Sequence, residues 1–357
     1  PSDNLGAVLA AAELADRTGA ELLVALAVAY QVQCRLSDEA PVRDRGFDHT
    51  TQGAFAATAG VARALGLDAA RTAHALAIAG TTAAALRVTR TGALSHWKGL
   101  AAPHAGFCAV HAALLARAGV TGPAAVLEGA KGFMEVVSGP FHIDWEREDL
   151  ARVTRTDLKR YNAEIHAQSA LEAVLELRAA ARLTADAVAR VELETFQVAY
   201  DIIGGGAEGP KTAIATKEEA DHSLPYLLAV ALLDGEVGPA QYAPARIVRP
   251  DVQALLQRVF VRPAADLTRR FPAETPGRVR VVLRDGRELR AERRDWAGCH
   301  GRPLPWDAVR GKLDGLAARV TTAAQRDGLA AAVARLEELR VRDLTALLRA
   351  VRGPAEE

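Results

Sequence analysis

Apolar residues recur at helical spacing through the first third of the chain, and short polar stretches that can cap helices separate the apolar runs. This pattern predicts a succession of helices over residues 1–154. The predicted helices begin near Leu5, Glu21, Thr50, Ala69 and Trp97, and a further short helix is predicted after Pro123.

The pattern changes between residues 155 and 302. A helical stretch over residues 163–183 precedes alternating apolar and polar positions from Val188, which are typical of a strand. Two more alternating segments flank Asp285-Gly286, a strong hairpin signal, and helical spacing returns after residue 303. We therefore predict a mainly α fold. A large helical domain formed by residues 1–154 and 303–357 would be interrupted by a smaller α+β lid domain with an antiparallel sheet, residues 155–302.

The stretch Asp221-His222-Ser223-Leu224-Pro225-Tyr226 places several polar groups where a helix should begin. Ser223 is a good N-cap, Pro225 is tolerated in a first turn, and the apolar residues 227–233 end at Asp234-Gly235. His222 and Tyr226 would therefore flank the start of a buried helix. Such a start attracts carboxylates, although both side chains could equally have only structural hydrogen bonds.

The composition of the chain argues against several classes of partner and cofactor. Lys plus Arg and Asp plus Glu both number 44, so nothing in the charge indicates nucleic acid or a membrane surface as a partner. No apolar run reaches the length of a spanning helix, and a cytoplasmic location is the default expectation. The three cysteines are far apart and no H-x-x-x-H or H-E-x-x-H pattern occurs, so we expect neither a metal nor another cofactor.

Polar clusters fall at other predicted helix starts as well. They are Asp48-His49-Thr50, Ser95-His96-Trp97-Lys98, and Lys159-Arg160-Tyr161 followed by His166. Histidine, lysine and tyrosine donate hydrogen bonds to carboxylates and can also transfer protons. The clusters therefore indicate a small polyanionic substrate.

Each cluster also has a purely structural interpretation. His49 could help to cap its helix, and the Lys98 stem could lie on the Trp97 ring with its ammonium in water. The histidines outside the clusters are more typical of packing or loop contacts; they are His74, His104, His111, His142 and His300.

Several stretches along the chain form one recognisable set. They are Pro1-Ser2-Asp3-Asn4-Leu5-Gly6, Gly46-Phe47-Asp48-His49, Arg90-Thr91-Gly92, Leu94-Ser95, Trp97-Lys98-Gly99, Ala163-Glu164-Ile165-His166, Gln168-Ser169, Ala220-Asp221-His222-Ser223-Leu224-Pro225-Tyr226 and Leu232-Leu233-Asp234-Gly235. Together they resemble the MmgE/PrpD family, which includes 2-methylcitrate dehydratase, cis-aconitate decarboxylase and iminodisuccinate epimerase. The resemblance runs in order along the chain to about Pro303.

The resemblance implies a homodimer with a metal-independent active site in the cleft between the helical domain and the lid. By position, it implies catalytic roles for His49, His166 and Tyr226. Substrate binding would fall to Lys98, Lys159, His222 and Ser95, with the match of Lys98 offset in local pattern.

The resemblance and the polar clusters lead to one main functional hypothesis. We expect a hydro-lyase that dehydrates a 2-methylcitrate-like tricarboxylate. The alternatives are decarboxylation of cis-aconitate, which the spacing from Lys159 to His166 disfavours, and epimerisation of a dicarboxylate. Family chains continue upstream of the match to Pro1, so we also expect that this chain begins inside a larger polypeptide. An incomplete, inactive carboxylate-binding form is therefore a further alternative.

Overall fold

The computed structural model describes residues 1–92 and 94–351, which form two compact units. The first, here called the helical unit, comprises Pro1–Arg90, Ser95–Thr156 and the described residues from Ala317 onward. The second, here called the sheet unit, comprises Asp157–Leu316 with Thr91, Gly92 and Leu94.

Helices dominate the described part of the chain. The first stretch contains α1 (Leu5–Leu14), α2 (Gly19–Glu39), α3 (Thr50–Leu65), α4 (Ala69–Thr82) and α5 (Trp97–Arg117). The middle stretch contains α6 (Gln168–Ala181), β1 (Val188–Thr195), α7 (Gln197–Ala199), α8 (Lys217–Ala220), α9 (Leu224–Asp234), α10 (Pro244–Ile247), α11 (Pro250–Leu256), β2 (Val259–Pro263), α12 (Ala265–Arg270), β3 (Gly277–Leu283) and β4 (Glu288–Arg293). The last stretch contains α13 (Trp306–Ala317), α14 (Ala323–Ala334) and α15 (Val341–Arg349).

The short helix predicted after Pro123 is absent, and that prediction is wrong. The chain there makes turns and then a π-helical turn, Met134–Ser138. Gly129 and Gly132 weaken a helix in this segment. The backbone instead folds back on itself, because Phe133 N donates to Val126 O and Met134 N donates to Leu127 O.

Helix α3 is the centre of the helical unit. It is buried along nearly its whole length and packs against α1, α2, α4 and α5. Its alanines and glycines allow this close approach. At Gly60, an added Cβ would lie 2.7 Å from Val8 Cγ2 and 2.9 Å from Ala29 Cβ. The small residues of α3 therefore set how closely its neighbours pack.

The residues that join α14 to α15 contact the beginning of α2. Gly19 N donates to Leu339 O at 2.7 Å, and Val341 N donates to Arg17 O at 2.9 Å. An added Cβ at Gly19 would lie 1.8 Å from Leu336 O. Glycine is therefore required here by the close approach of two backbones.

The sequence predicted no segment that is long and apolar enough to cross a membrane, and helix α5 is an exception to that prediction. In the described part of the chain, its 21 residues meet that criterion by length and composition alone. It packs against α3 and α4 within the helical unit, and 33% of its apolar window is buried. The exposed fraction includes Trp97, Leu100 and Phe107.

The sheet unit contains a four-stranded sheet with the strand order β2-β1-β3-β4. The predicted β3–β4 hairpin is confirmed, with Gly286 at a φ of 88° in the turn. The prediction of an antiparallel sheet is correct for the pairs β1–β3 and β3–β4 but wrong for β1–β2, which pair in parallel, so the sheet is mixed. A parallel pair needs a long crossover, and the segment from α7 to α11 supplies it.

The two faces of this sheet differ in character. Val191, Leu193, Val279 and Val281 are fully buried in a core that includes residues of α6 and α9. The other face carries interleaved arginine and glutamate side chains, and Arg278 contacts the carboxylates of Glu194, Asp266 and Glu292 at 2.6–2.8 Å. The alternation of the strands therefore separates a dry face from a charged one.

Replacing Gly19 by Ala tests the backbone approach between α2 and the segment before α15. We expect Gly19→Ala to lower the free energy of unfolding by at least about 2 kcal/mol, because the added methyl group overlaps a backbone carbonyl that must move. Urea denaturation of the whole chain would measure the change. Gly6→Ala is the matched control, because its Cβ would meet nothing within 4 Å. An equal effect of the two substitutions would contradict the role of this contact.

Candidate active site

His49 precedes the first turn of α3, beside a fully buried carboxylate. Asp48 Oδ1 accepts a hydrogen bond from Thr50 N at 3.1 Å and lies 3.4 Å from His49 Nδ1. The other oxygen, Asp48 Oδ2, accepts from Arg90 Nε at 2.6 Å and lies 3.7 Å from Arg87 Nη1. Asp48 thus accepts a hydrogen bond from the first residue of α3 and contacts the imidazole of His49.

Two carboxylates, those of Asp48 and Asp3, lie beside the His49 ring. Burial opposes ionisation of Asp48, but the positive charges of His49 and Arg90 hold the pKa of its carboxyl below the ordinary value. On the opposite side, Asp3 Oδ2 lies 3.7 Å from His49 Nε2, and the hydrogen bond with His49 lowers the pKa of the Asp3 carboxyl. Two carboxylates can therefore stabilise positive charge that forms on the ring during proton transfer.

A small pocket opens beside the His49 ring, which is 45% exposed. Its polar lining comes from Asp3, Asn4, Gln33, His49 and Thr50. Its apolar lining comes from small residues of α3 and α5, namely Gly53, Ala57, Ala102, Ala105 and Gly106. All of these residues belong to the helical unit.

Lys98 and Ser95 lie at the beginning of α5. Lys98 N donates to Ser95 O at 3.1 Å, and the Lys98 side chain is buried. Because Lys98 and Ala102 are four residues apart, they lie on the same side of α5. Lys98 is thus one helical turn from the pocket lining, whereas Ser95 is exposed before the helix.

In the sheet unit, His166 is paired with Glu164. His166 Nδ1 lies 2.9 Å from Glu164 Oε1, and the imidazole packs edge-on against the stacked rings of Phe196 and Phe271. Burial opposes ionisation of Glu164, but the charges of His166 and His222 and the hydrogen bonds from His166 lower its pKa to about 2. Glu164 is therefore a carboxylate held between two histidines.

His222 has its own carboxylate beside it in the chain. Its Nδ1 lies 2.6 Å from Asp221 Oδ1, and Asp221 Oδ2 contacts Lys217 Nζ at 2.5 Å. Glu164 N donates to Asp221 O at 3.3 Å, which ties the two histidine pairs together. The structure thus brings His166 and His222 into one charged cluster.

The helix that follows this cluster begins and ends as predicted. Ser223 Oγ accepts from Tyr226 N, and Gly235 ends α9 at a φ of 80°. Tyr226 itself is fully buried, and its hydroxyl donates to Gln241 O. Burial raises the pKa of the Tyr226 phenol to about 12. In this structure the hydroxyl therefore has a backbone partner in the core, and its catalytic role stays a prediction.

Lys159 is exposed near the beginning of the sheet unit, where its backbone carbonyl accepts a hydrogen bond from Lys312 Nζ. The binding role of the Lys159 ammonium also stays a prediction. The described residues contain no group of three or more His, Cys, Asp or Glu side chains that could hold a metal ion.

Four of the charged partners were not predicted from the sequence. Glu164 precedes His166 by two positions, and this short spacing is a local signal that could have indicated their pairing. Arg87 and Arg90 are far from Asp48 in the chain, so no local pattern could have paired them with it. Asp3 likewise reaches His49 only through the packing of the helices.

Comparison with known proteins identifies the family. Residues 1–146 match the model of the MmgE/PrpD N-terminal domain, and residues 161–338 match that of the MmgE/PrpD C-terminal domain. A 2-methylcitrate dehydratase of Cupriavidus necator is 30% identical over 313 residues, which are 81% of this chain and 63% of the relative.

Other relatives have related names. A 2-methylcitrate dehydratase of Escherichia coli strain K12 is 30% identical over 263 residues, 68% of this chain and 53% of the relative. A cis-aconitate decarboxylase of Mus musculus is 25% identical over 357 residues, 95% of this chain and 69% of the relative. The matches thus span 53–63% of the length of the two bacterial relatives. The agreement of both domain models along the chain shows that it belongs to the MmgE/PrpD family.

Proposed function

We propose that the chain acts as a lyase that removes water from a 2-methylcitrate-like tricarboxylate. The bacterial relatives named 2-methylcitrate dehydratase support this substrate class. The reaction needs one group that takes a proton from carbon and another that protonates the departing hydroxyl group. Each unit contains a histidine beside a carboxylate that is suited to one of these tasks.

The observation that carries the proposal is the setting of His49. The imidazole is exposed to a pocket, while Asp48 beside it is fully buried and held by Arg90. Neighbouring carboxylates that orient a histidine and stabilise its charged form are the arrangement used for proton transfer in many enzymes. We therefore assign proton transfer in the helical unit to His49.

We assign the second proton-transfer group to His166. It is partly exposed, and its Nδ1 lies 2.9 Å from Oε1 of ionised Glu164. The pair leaves Nε2 as the reactive nitrogen. The substrate carboxylates would be bound by Lys98, Lys159, His222 and Ser95, since their cationic or hydroxyl groups donate hydrogen bonds to carboxylates.

Decarboxylation of a tricarboxylate is the second candidate, and the mouse relative favours it. That relative is named cis-aconitate decarboxylase and aligns along 95% of this chain, although at lower identity than the dehydratases. Both reactions can use positioned histidines and cationic carboxylate partners, so the products distinguish them. NMR spectra of 2-methylcitrate and cis-aconitate incubated with the chain would show either an unsaturated tricarboxylate or a decarboxylated product.

Replacing His49 by Ala tests its assigned role. We expect turnover of 2-methylcitrate to fall by roughly 10²–10⁴-fold, which is the usual contribution of a general acid or base. Steady-state kinetics of the whole chain would measure the loss, with circular dichroism to check the fold. His111→Ala is a matched control, because His111 is an exposed residue of the helical unit whose ring contacts Phe107. Unchanged turnover in His49→Ala would remove this histidine from the mechanism.

The pair formed by Glu164 and His166 should make stability depend on pH. The Glu164 pKa is about 2 in the folded chain against an ordinary 4.5. The ionised carboxylate therefore stabilises the fold fully above pH 4.5, and this stabilisation is lost as the pH falls towards 2. We expect Glu164→Gln to be less stable than the parent chain at neutral pH by up to about 3 kcal/mol.

The difference in unfolding free energy between Glu164→Gln and the parent should shrink as the pH falls. Chemical denaturation at a series of pH values would measure it. Glu236→Gln, at an exposed residue of the same unit, is the control and should follow the parent at every pH. A constant difference across this range would show that ionised Glu164 does not stabilise the fold.

A further inference from the structure

The buried side chain of Gln168 holds the loop that carries Glu164. Gln168 is the first residue of α6, and it has no exposure to solvent. Its Oε1 accepts a hydrogen bond from Tyr161 N at 2.9 Å. Its Nε2 donates to Tyr161 O at 3.2 Å and to Ala163 O and Glu164 O, both at 3.4 Å. One side-chain amide thus binds four backbone atoms of residues 161–164.

This loop has no regular backbone structure that could hold it in place. Residues 161–164 belong to neither a helix nor a strand. Their backbone groups must therefore find partners elsewhere, and Asn162 N donates to Val237 O at 3.2 Å while Glu164 N donates to Asp221 O at 3.3 Å. Gln168 supplies the bonds to α6. Its removal would leave three loop carbonyls without this donor.

The position of the loop determines where the Glu164 carboxylate lies. Glu164 Oε2 accepts from His166 N at 2.7 Å, and Glu164 Oε1 lies 2.9 Å from His166 Nδ1. The amide of Gln168 contacts the backbone carbonyl of this same glutamate. Gln168 can therefore act on His166 through Glu164.

We infer that Gln168 is a positioning residue for proton transfer by His166. The inference rests on the proposed function, which assigns proton transfer to His166. Gln168 holds the loop so that the Glu164 carboxylate stays beside the imidazole, where it stabilises the imidazolium that forms when the ring takes a proton. Without these hydrogen bonds the loop adopts other conformations, and the carboxylate lies beside the ring for only part of the time.

Replacing Gln168 by Met tests the inference, because methionine is also unbranched but lacks the amide donor. We expect kcat for 2-methylcitrate to fall by roughly 10- to 100-fold, with little change in KM, because a small displacement of a catalytic group is costly. Gln168→Glu is the second variant. It keeps an acceptor for Tyr161 N but loses the donor to the three carbonyls, so kcat should fall in it as well. Steady-state kinetics would measure both.

A second measurement does not depend on turnover. Burial raises the pKa of the Glu164 carboxyl, but the charge of His166 and its hydrogen bonds outweigh burial and lower this pKa to about 2. In Gln168→Met we expect the pKa of Glu164 to rise towards its ordinary 4.5, because the carboxylate spends less time beside His166. A pH titration of the carboxyl carbons by NMR would measure it, and the Glu164→Gln spectrum would assign the signal.

Gln253→Met is the matched control. Gln253 lies in the same unit, and its Nε2 donates to Ile214 O at 3.0 Å and to Ile247 O at 2.8 Å. The substitution removes a similar set of side-chain bonds without touching the loop. We expect it to lower stability while kcat and the pKa of Glu164 stay as in the parent chain. Circular dichroism would check the fold of each variant.

The possible outcomes separate this inference from the proposed function. A Glu164 pKa that stays near 2 in Gln168→Met would overturn the inference, and so would equal effects in Gln253→Met. A shifted pKa with unchanged kcat would overturn the catalytic consequence of this positioning. A parent chain that does not convert 2-methylcitrate would overturn the proposed function, and the titration would still decide whether Gln168 positions the carboxylate.

Discussion

The buried carboxylate of Asp48 is the constraint on which the candidate site of the helical unit depends. A charge with no exposure to water must be paired, and Arg90, Arg87 and the Thr50 N–H provide its partners. Asp48 N also donates to Ala85 O, so the chain before α5 is attached to the beginning of α3. His49 and Thr50 follow Asp48 directly in the chain. Their side chains are consequently positioned by the same buried charge.

The same pairing of a histidine with a nearby carboxylate recurs in the sheet unit. Glu164 precedes His166 by two positions, and Asp221 directly precedes His222. These local pairs place the Nδ1 atoms of the two imidazoles 2.9 Å and 2.6 Å from a carboxylate oxygen. Each unit thus presents a histidine beside a carboxylate, on a short segment that lies at or next to the beginning of a helix.

Local signals account for what could be predicted from the sequence. The beginning of α9 followed from Ser223 and Pro225, and the β3–β4 hairpin followed from Asp285-Gly286, because caps and tight turns depend on adjacent residues. The parallel pairing of β1 with β2 depends on a crossover of many residues and was missed. The partnership of Asp48 with Arg90 was missed for the same reason. His49 was recognised as a candidate, whereas the charges that orient it became visible only in three dimensions.

The proposed elimination of water from a hydroxylated tricarboxylate determines where the hydroxyl oxygen of the substrate goes. Mass spectrometry of 2-methylcitrate carrying heavy oxygen in its hydroxyl group would test this claim most directly. The account predicts an unsaturated product that retains all three carboxylates, with the heavy oxygen released as water. Release of carbon dioxide with the heavy oxygen retained in the product would contradict it.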